Sequence, residues 1–278
     1  MKQLLTLLLA LCCLFSSAMA QVELRLAPVR HDYILGEHVA LKLTIINRTD
    51  SSIALTNRPG RPWLNFMVGK RGEPGPVSAF ASPRFPDLTV TPGSTRSFQV
   101  DLKTFYHLDV SGNYNAVATI RMPDGQTTYS SNRAVFALAS GGKVRAFKVR
   151  SGGKNLEMSV RLASIDGHDN LFGQVADADS QRVLGACFMG RYLNFMQPRV
   201  MIDAAQNLHV LCQSSPDFYT YSVMNTQGER SHYQLYKRAS GPVDLMSTGK
   251  GVRPVGLVPY VKPKADEQNI HHTSDRPF

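Results

Sequence analysis

The residue types able to do chemistry are scattered through the chain, and few stand at spacings that chemistry requires. Asp166, Asp169, Asp177 and Asp179 could gather as calcium ligands or a carboxylate pair. Their spacing does not fit a calcium-binding helix–loop–helix, and Asp-rich turns between strands serve backbone hydrogen bonding equally well. His168, flanked by two of them, is either a base oriented by a carboxylate or a solvated turn residue. Adjacent His271 and His272 fall short of the three or four converging ligands that a closed metal site needs. The chain has no His-Glu-x-x-His, no Gly-x-Ser-x-Gly, no Cys-x-x-Cys and no Gly-x-x-x-x-Gly-Lys-Ser/Thr. Zincin, nucleophile-elbow, thioredoxin-type and phosphate-loop chemistries therefore have no motif here, and neither a cofactor nor a metal is expected.

Binding remains, and two places suggest it. Arg61, Trp63 and Asn65 surround the chain's one tryptophan. Strand alternation puts Trp63, Asn65 and Met67 on one face and the uniformly apolar Leu64, Phe66 and Val68 on the other. An outward tryptophan beside an arginine would anchor a protein or glycan partner. Lys143, Arg145, Lys148, Arg150 and Lys154 concentrate positive charge between two glycine pairs. This stretch reads as a basic patch for anions or as a solvated interdomain segment. It lacks interleaved aromatics for stacking bases apart from Phe147, which disfavours nucleic acid.

The 278 residues carry a net charge of +10, with 43% hydrophobic and 19% charged residues, enough apolar content for one or two packed domains. At the N-terminus, Lys2, an apolar run from Leu4 to Phe15 and a small-residue end at Ala18-Met19-Ala20 form a secretory signal peptide over residues 1–20. Cleavage near Ala20 would deliver the chain to a periplasm or the cell exterior. No later run is apolar enough to cross a bilayer as a helix. Cys187 and Cys212 remain after processing. They are either a disulfide, closing a loop worth about 3 kcal/mol in the chain-entropy model, or two buried thiols.

From residue 21 to 140 apolar residues alternate in period two, with turn signals every 8–12 residues. The strongest strand runs from His38 to Asn47, with Leu41, Leu43 and Ile45 facing inward, and Asn47-Arg48-Thr49-Asp50 reads as a turn. Weaker strands are expected near Val22, Ser52, Trp63, Asp87, Ser97, Asn113 and Ala134. The order Gly36-Glu37, a strand ending at Asn47, Pro92-Gly93-Ser94, Tyr106-x-Leu108 and Gly112-x-Tyr114 resembles bacterial immunoglobulin-like modules. The resemblance implies a β-sandwich serving as a stalk, binder or spacer on an exported protein, with no catalytic residues. It makes Tyr106 and Tyr114 candidates for the corner tyrosine.

Residues 141–154 read as a glycine-rich basic linker, 155–261 as a second antiparallel β domain and 262–278 as a disordered tail. In the second domain Ile165-Asp166 precedes Asn170-Leu171 as Ile202-Asp203 precedes Asn207-Leu208, an echo suggesting blade-like repeats. The expected protein is all-β: an immunoglobulin-like sandwich, then the blade-like domain. Its expected role is non-catalytic binding or scaffolding with a protein or glycan partner. The alternatives are a carboxylate-dependent hydrolase of glycan or peptide, and a self-assembling envelope subunit.

Overall fold

The computed structural model describes residues 22–249 and 251–261. The expected signal peptide, the expected disordered tail and His271–His272 lie outside the described residues. The fold is all-β: among the described residues there is no α-helix, only a short 3₁₀ turn at Leu102–Thr104. Among the described residues no helix is long and apolar enough to cross a membrane. The chain divides into two compact units after Gly141.

The first unit contains β1 (Val22–Pro28), β2 (Asp32–Ile34), β3 (Ala40–Asn47), β4 (Ile53–Leu55), β5 (Leu64–Lys70), β6 (Leu88–Val90), β7 (Thr95–Asp101), β8 (Gly112–Arg121), β9 (Thr128–Ser130) and β10 (Ala134–Ala139). Every expected strand is present; β2 and β9, three residues each, were too short for an alternation to show. One sheet has the order β1-β3-β7, a second runs β2-β10-β8-β5 with β9 beside β8 and β2 parallel to β10, and β4 and β6 form a separate antiparallel pair. The two inner faces share one apolar core, as in a sandwich. Leu41, Leu43 and Ile45 are fully buried in it, as the alternation of β3 requires.

Polar groups fix the corners. The Asn47 side chain is fully buried. Its Nδ2 donates to Ser51 O (2.8 Å) and Val90 O (2.9 Å), and its Oδ1 accepts from Thr49 N (3.0 Å), which makes the turn after β3 an Asx-turn. Tyr114 Oη donates to Val110 O, four residues upstream, at 2.6 Å, the bond of a tyrosine corner. The Tyr106 hydroxyl instead reaches across to Phe66 O.

The second unit contains β11 (Gly142–Ser151), β12 (Lys154–Ile165), β13 (His168–Asp177), β14 (Val183–Arg191), β15 (Arg199–Ile202), β16 (Leu208–Gln213), β17 (Phe218–Met224), β18 (Arg230–Arg238), β19 (Asp244–Thr248), β20 (Gly251–Val255) and β21 (Leu257–Pro259). The expected linker is therefore a strand and a hairpin. Gly152 and Gly153 (φ 56° and 76°) form a two-residue turn from β11 into β12, so the segment belongs to the second domain's first sheet. Glycine pairs signal hinges and type I′ turns alike, and only the pairing partner distinguishes them.

Strands β11-β12-β13-β14 form one meander and β15-β16-β17-β18-β21 a second. Leu156, Met158, Val160 and Val175 of the first pack with Leu208, Val210 and Met224 of the second. The hairpin β19–β20 supplies Leu245 to a smaller core beyond the second sheet, against Leu211, Tyr219 and Tyr221. At Gly185 and Gly228 the backbones nearly touch: a Cβ on Gly228 would lie 2.7 Å from Gly185 Cα. Both halves of the sequence echo are hairpins, but they are out of phase. The first joins the second and third strands of its sheet through Asp166–Gly167; the second joins the first and second strands of the next. The echo thus records shared turn chemistry rather than equivalent blade positions.

Candidate functional site

The structure does not bring Arg61, Trp63 and Asn65 together. Trp63 precedes β5 in a bend, outside its alternation, and is 2% exposed. Its ring packs edge-on against Phe85 and Phe98 with centroids 6.2 and 6.3 Å away, and its Nε1 donates to Pro86 O at 3.2 Å. The expected outward tryptophan is thus a core residue, because a bend let both Trp63 and Leu64 turn inward. Asn65 is exposed on β5, its Oδ1 accepting from Phe66 N (2.9 Å).

Arg61 instead belongs to a cleft. Arg58-Pro59-Gly60-Arg61 is a tight turn closed by reciprocal bonds, Arg58 N to Arg61 O (3.1 Å) and Arg61 N to Arg58 O (2.9 Å), with Gly60 at φ 67°. Such a pair projects both side chains to the same side. Facing this turn is the segment Ser82-Pro83-Arg84, and between them lies a cleft of about 560 Å³. An adjoining crevice brings Arg121, at the end of β8, beside Arg58 and Arg61, with the Trp63 indole as part of its lining. Arg58, Arg61 and Arg84 therefore line the cleft, and Arg121 joins Arg58 and Arg61 in the crevice of about 20 Å³ beside it.

Its walls are cross-tied. Asn57 Nδ2 donates to Phe85 O (2.6 Å) and Asp87 Oδ1 (3.1 Å), and Trp63 Nε1 reaches Pro86 from below. Arg58 donates to Pro123 O, and Gly125 leaves it room, since a Cβ there would lie 3.2 Å from Arg58 Nη1. No carboxylate lines the cleft or the crevice. None of the four arginines is in an ion pair among the described residues. The nearest acids are held elsewhere: Asp87 by Asn57, and Asp124 by Thr127 and Gln126, whose hydrogen bonds, with Arg58 nearby, keep its carboxyl below the usual range.

The basic stretch of the second unit is, by contrast, divided and neutralised. A bulge at Val144 places Lys143, Lys148 and Arg150 on one face of β11 and Arg145 on the other, where Lys154 of β12 also lies. Lys143 pairs with Glu157 at 2.5 Å, Lys148 and Arg150 border a groove shared with Glu157 and Asp179, and Lys154 acts on Asp177. Strand β11 is a sheet edge, and positive charges with a bulge are the usual means of keeping an edge from pairing with another chain.

The acidic residues stay apart. Asp166 occupies a turn at φ 54°, Asp169 accepts from Ser164 Oγ, and Asp177 caps the turn at Ser180 (2.8 Å). His168 Nδ1 lies 3.2 Å from Arg191 Nη2. A groove of about 580 Å³ joins Arg145, Asp169, Tyr192 and Asn194 near the β11 bulge. Here the motif Tyr192-Leu193-Asn194-Phe195 repeats the pattern Trp63-Leu64-Asn65-Phe66, yet Phe195 is 78% exposed while Phe66 is buried.

Cys187 and Cys212 are not joined. Cys212 Sγ points to Arg191 O (3.5 Å), with the Gly190 backbone closing off the space beside it, and Cys187 Sγ lies 3.6 Å from Met189 Sδ. Burial pushes the Cys212 thiol up to about 12. Since the thiolate is the reactive form, Cys212 is expected to resist iodoacetamide at pH 8 in the folded protein and to react once it is unfolded in urea. Mass-spectrometric mapping checks this, and native labelling of Cys212 at the rate of a free thiol would contradict it.

Sequence reasoning reached Arg61 but missed Arg58, Arg84 and Arg121. The signal available was local: Arg-Pro-Gly-Arg-Pro sets two arginines astride a turn-forming dipeptide. No family model matches the chain, and no curated protein matches it. Among solved structures it is similar to the alkylpurine DNA glycosylase AlkC of Pseudomonas fluorescens bound to abasic-site DNA, at 17% identity and a TM-score of 0.29 over 47% of this chain and 33% of that one. It is also similar to the sporulation control protein Spo0M of Bacillus subtilis (9%, TM-score 0.32, 76% and 83%) and to the periplasmic chaperone SfaE (11%, TM-score 0.23, 76% and 98%). The chain spans about a third of the glycosylase. At these scores the similarities identify no family for this chain.

Proposed function

We propose that the chain is an exported, non-catalytic binding protein, related to bacterial immunoglobulin-like modules, that takes an anionic ligand in the arginine cleft of its first unit. The observation that carries this reading is three arginines, Arg58, Arg61 and Arg84, lining one cleft that has no carboxylate in its lining, with Arg121 in the crevice beside it. In the basic stretch of the second unit, by contrast, Lys143 is paired with Glu157. The leader-like N-terminus supports export, and the strand order of the first unit supports the immunoglobulin-like relationship. Titration calorimetry with an anionic oligosaccharide and its neutral parent, at two salt concentrations, tests the reading. Only the anionic ligand is expected to bind, more weakly at high salt, and Arg61→Gln should raise Kd about tenfold or more by removing a charge-assisted contact. Equal binding of the neutral parent, or an unchanged Kd in the variant, would overturn it.

A further inference from the structure

We infer that the anionic group is a tetrahedral oxyanion ester on a sugar, a sulfate or a phosphate, gripped between Arg58 and Arg61. This rests on the reading of the cleft as an anion site and names the chemistry it selects. Arg58 and Arg61 are directly opposed across a two-residue turn, with reciprocal backbone bonds of 3.1 and 2.9 Å. Such positions set Cα atoms about 5.5 Å apart. Like charges held directly opposite each other repel, and an anion seated between them turns that repulsion into attraction. The Pro59–Gly60 centre limits how far the two side chains can separate.

The donor set points to a particular anion. Each guanidinium presents a rigid fork of N–H donors, and one fork satisfies the two oxygens of a planar carboxylate. Arg58, one of whose N–H groups is held by Pro123 O, and Arg61, with Arg84 across the cleft, offer more donors than a carboxylate can face at once. A sulfate or phosphate ester presents three terminal oxygens in different directions and meets several forks together. All four cationic residues are arginine and none is lysine, the choice expected where fork geometry matters more than charge alone.

The rest of the lining favours a sugar as the carrier. Pro59, Pro62 and Pro83 give rigid C–H walls, and the cleft volume of about 560 Å³ lies within the range of small-ligand sites. The one aromatic side chain of the lining, Trp63, is buried, so no platform is open for stacking bases. None of the large exposed apolar side chains borders the cleft, so it has no means of inserting into a bilayer around a lipid headgroup.

The test uses the mature full-length chain and three probes: a sulfated heparin-derived tetrasaccharide, a galacturonate oligomer of matched charge, and vesicles containing phosphatidylglycerol. The sulfated tetrasaccharide is expected to bind at least tenfold tighter than the galacturonate oligomer, with no gain on vesicles. Arg58→Lys and Arg61→Lys, which keep the charge but lose the fork, should each weaken the sulfated ligand about tenfold and leave the galacturonate oligomer within twofold. Lys148→Gln, in the other unit, should change nothing. Circular dichroism melts show whether each variant is folded, and Arg61→Lys, at the exposed turn, supplies the test if Arg58→Lys is not. Equal affinity for the sulfated and galacturonate oligomers would overturn this inference and leave the anion reading standing. Binding of no anion would overturn both, and binding to vesicles alone would replace the sugar with a lipid headgroup.

Discussion

Trp63→Ala is expected to destabilise the first unit by about 3–5 kcal/mol, the usual cost of truncating a large buried aromatic. The indole is 2% exposed and meets Phe85 and Phe98 edge-on, so alanine leaves a void where those two rings had packed. Urea denaturation followed by circular dichroism measures the loss. A change below about 1 kcal/mol would mean that the site collapses freely and that the packing described here is wrong. Because Pro86 and the floor of the crevice rest on the same ring, Trp63→Ala should also weaken ligand binding, as damage to a support rather than loss of a contact. Trp63→Phe separates the two effects: it keeps most of the ring, loses the bond to Pro86 O and should cost about 1 kcal/mol.

The second large effect belongs to a buried polar chain in the second unit. Asp203, just beyond β15, accepts from Asn207 N (2.8 Å) and Asn207 Nδ2 (3.0 Å) and lies 3.0 Å from His209 Nε2. His209 Nδ1 lies 2.8 Å from Tyr221 Oη, which donates to Val252 O of β20 at 2.9 Å. The chain ties three successive strands of the sheet to the hairpin that covers them. Asp203→Ala strands a ring nitrogen of His209, itself 5% exposed, and is expected to cost about 3 kcal/mol. An unaltered denaturation midpoint would show that the network contributes nothing.

The same carboxylate predicts a pH dependence. Burial raises the Asp203 carboxyl, but the bonds from Asn207 and His209 outweigh it, and the net shift is downward from the ordinary aspartate value of 3.8. A group with a depressed folded value contributes stability above its unfolded value and loses it as the pH falls through the folded one. The protein should therefore lose this contribution only below about pH 4, and Asp203→Asn should flatten the acid limb of a stability–pH curve. At the other extreme, burial pushes Tyr221 up to about 12, so its contribution is whole below pH 10 and declines toward 12. An acid limb of equal steepness in wild type and Asp203→Asn would remove the first expectation.

Much of this architecture was legible in local pattern. The alternation of β3 named its buried face residue by residue, and Asn47 announced a turn that its side chain then makes. Pattern failed where one neighbour outside the strand decides. Trp63 sits one residue before β5, so the strand's alternation did not govern it, and Phe85 and Phe98, 22 and 35 positions away, drew it inward. Gly152–Gly153 has the composition of a linker and the pairing of a hairpin, and only the partner strand tells them apart.

The cleft marks the division most clearly. Sequence alone determined that the chain is all-β and where many of its strands lie, because period and turn chemistry are local properties. Tertiary structure decided that Arg84 joins Arg58 and Arg61 around one cleft, with Arg121 in the crevice beside it, and that the equally basic stretch from Lys143 to Lys154 is split between two faces and set against carboxylates. Residues distant along the chain meet only when sheets pack. Whether a charge remains available to a ligand depends on that meeting, which no spacing along the chain records.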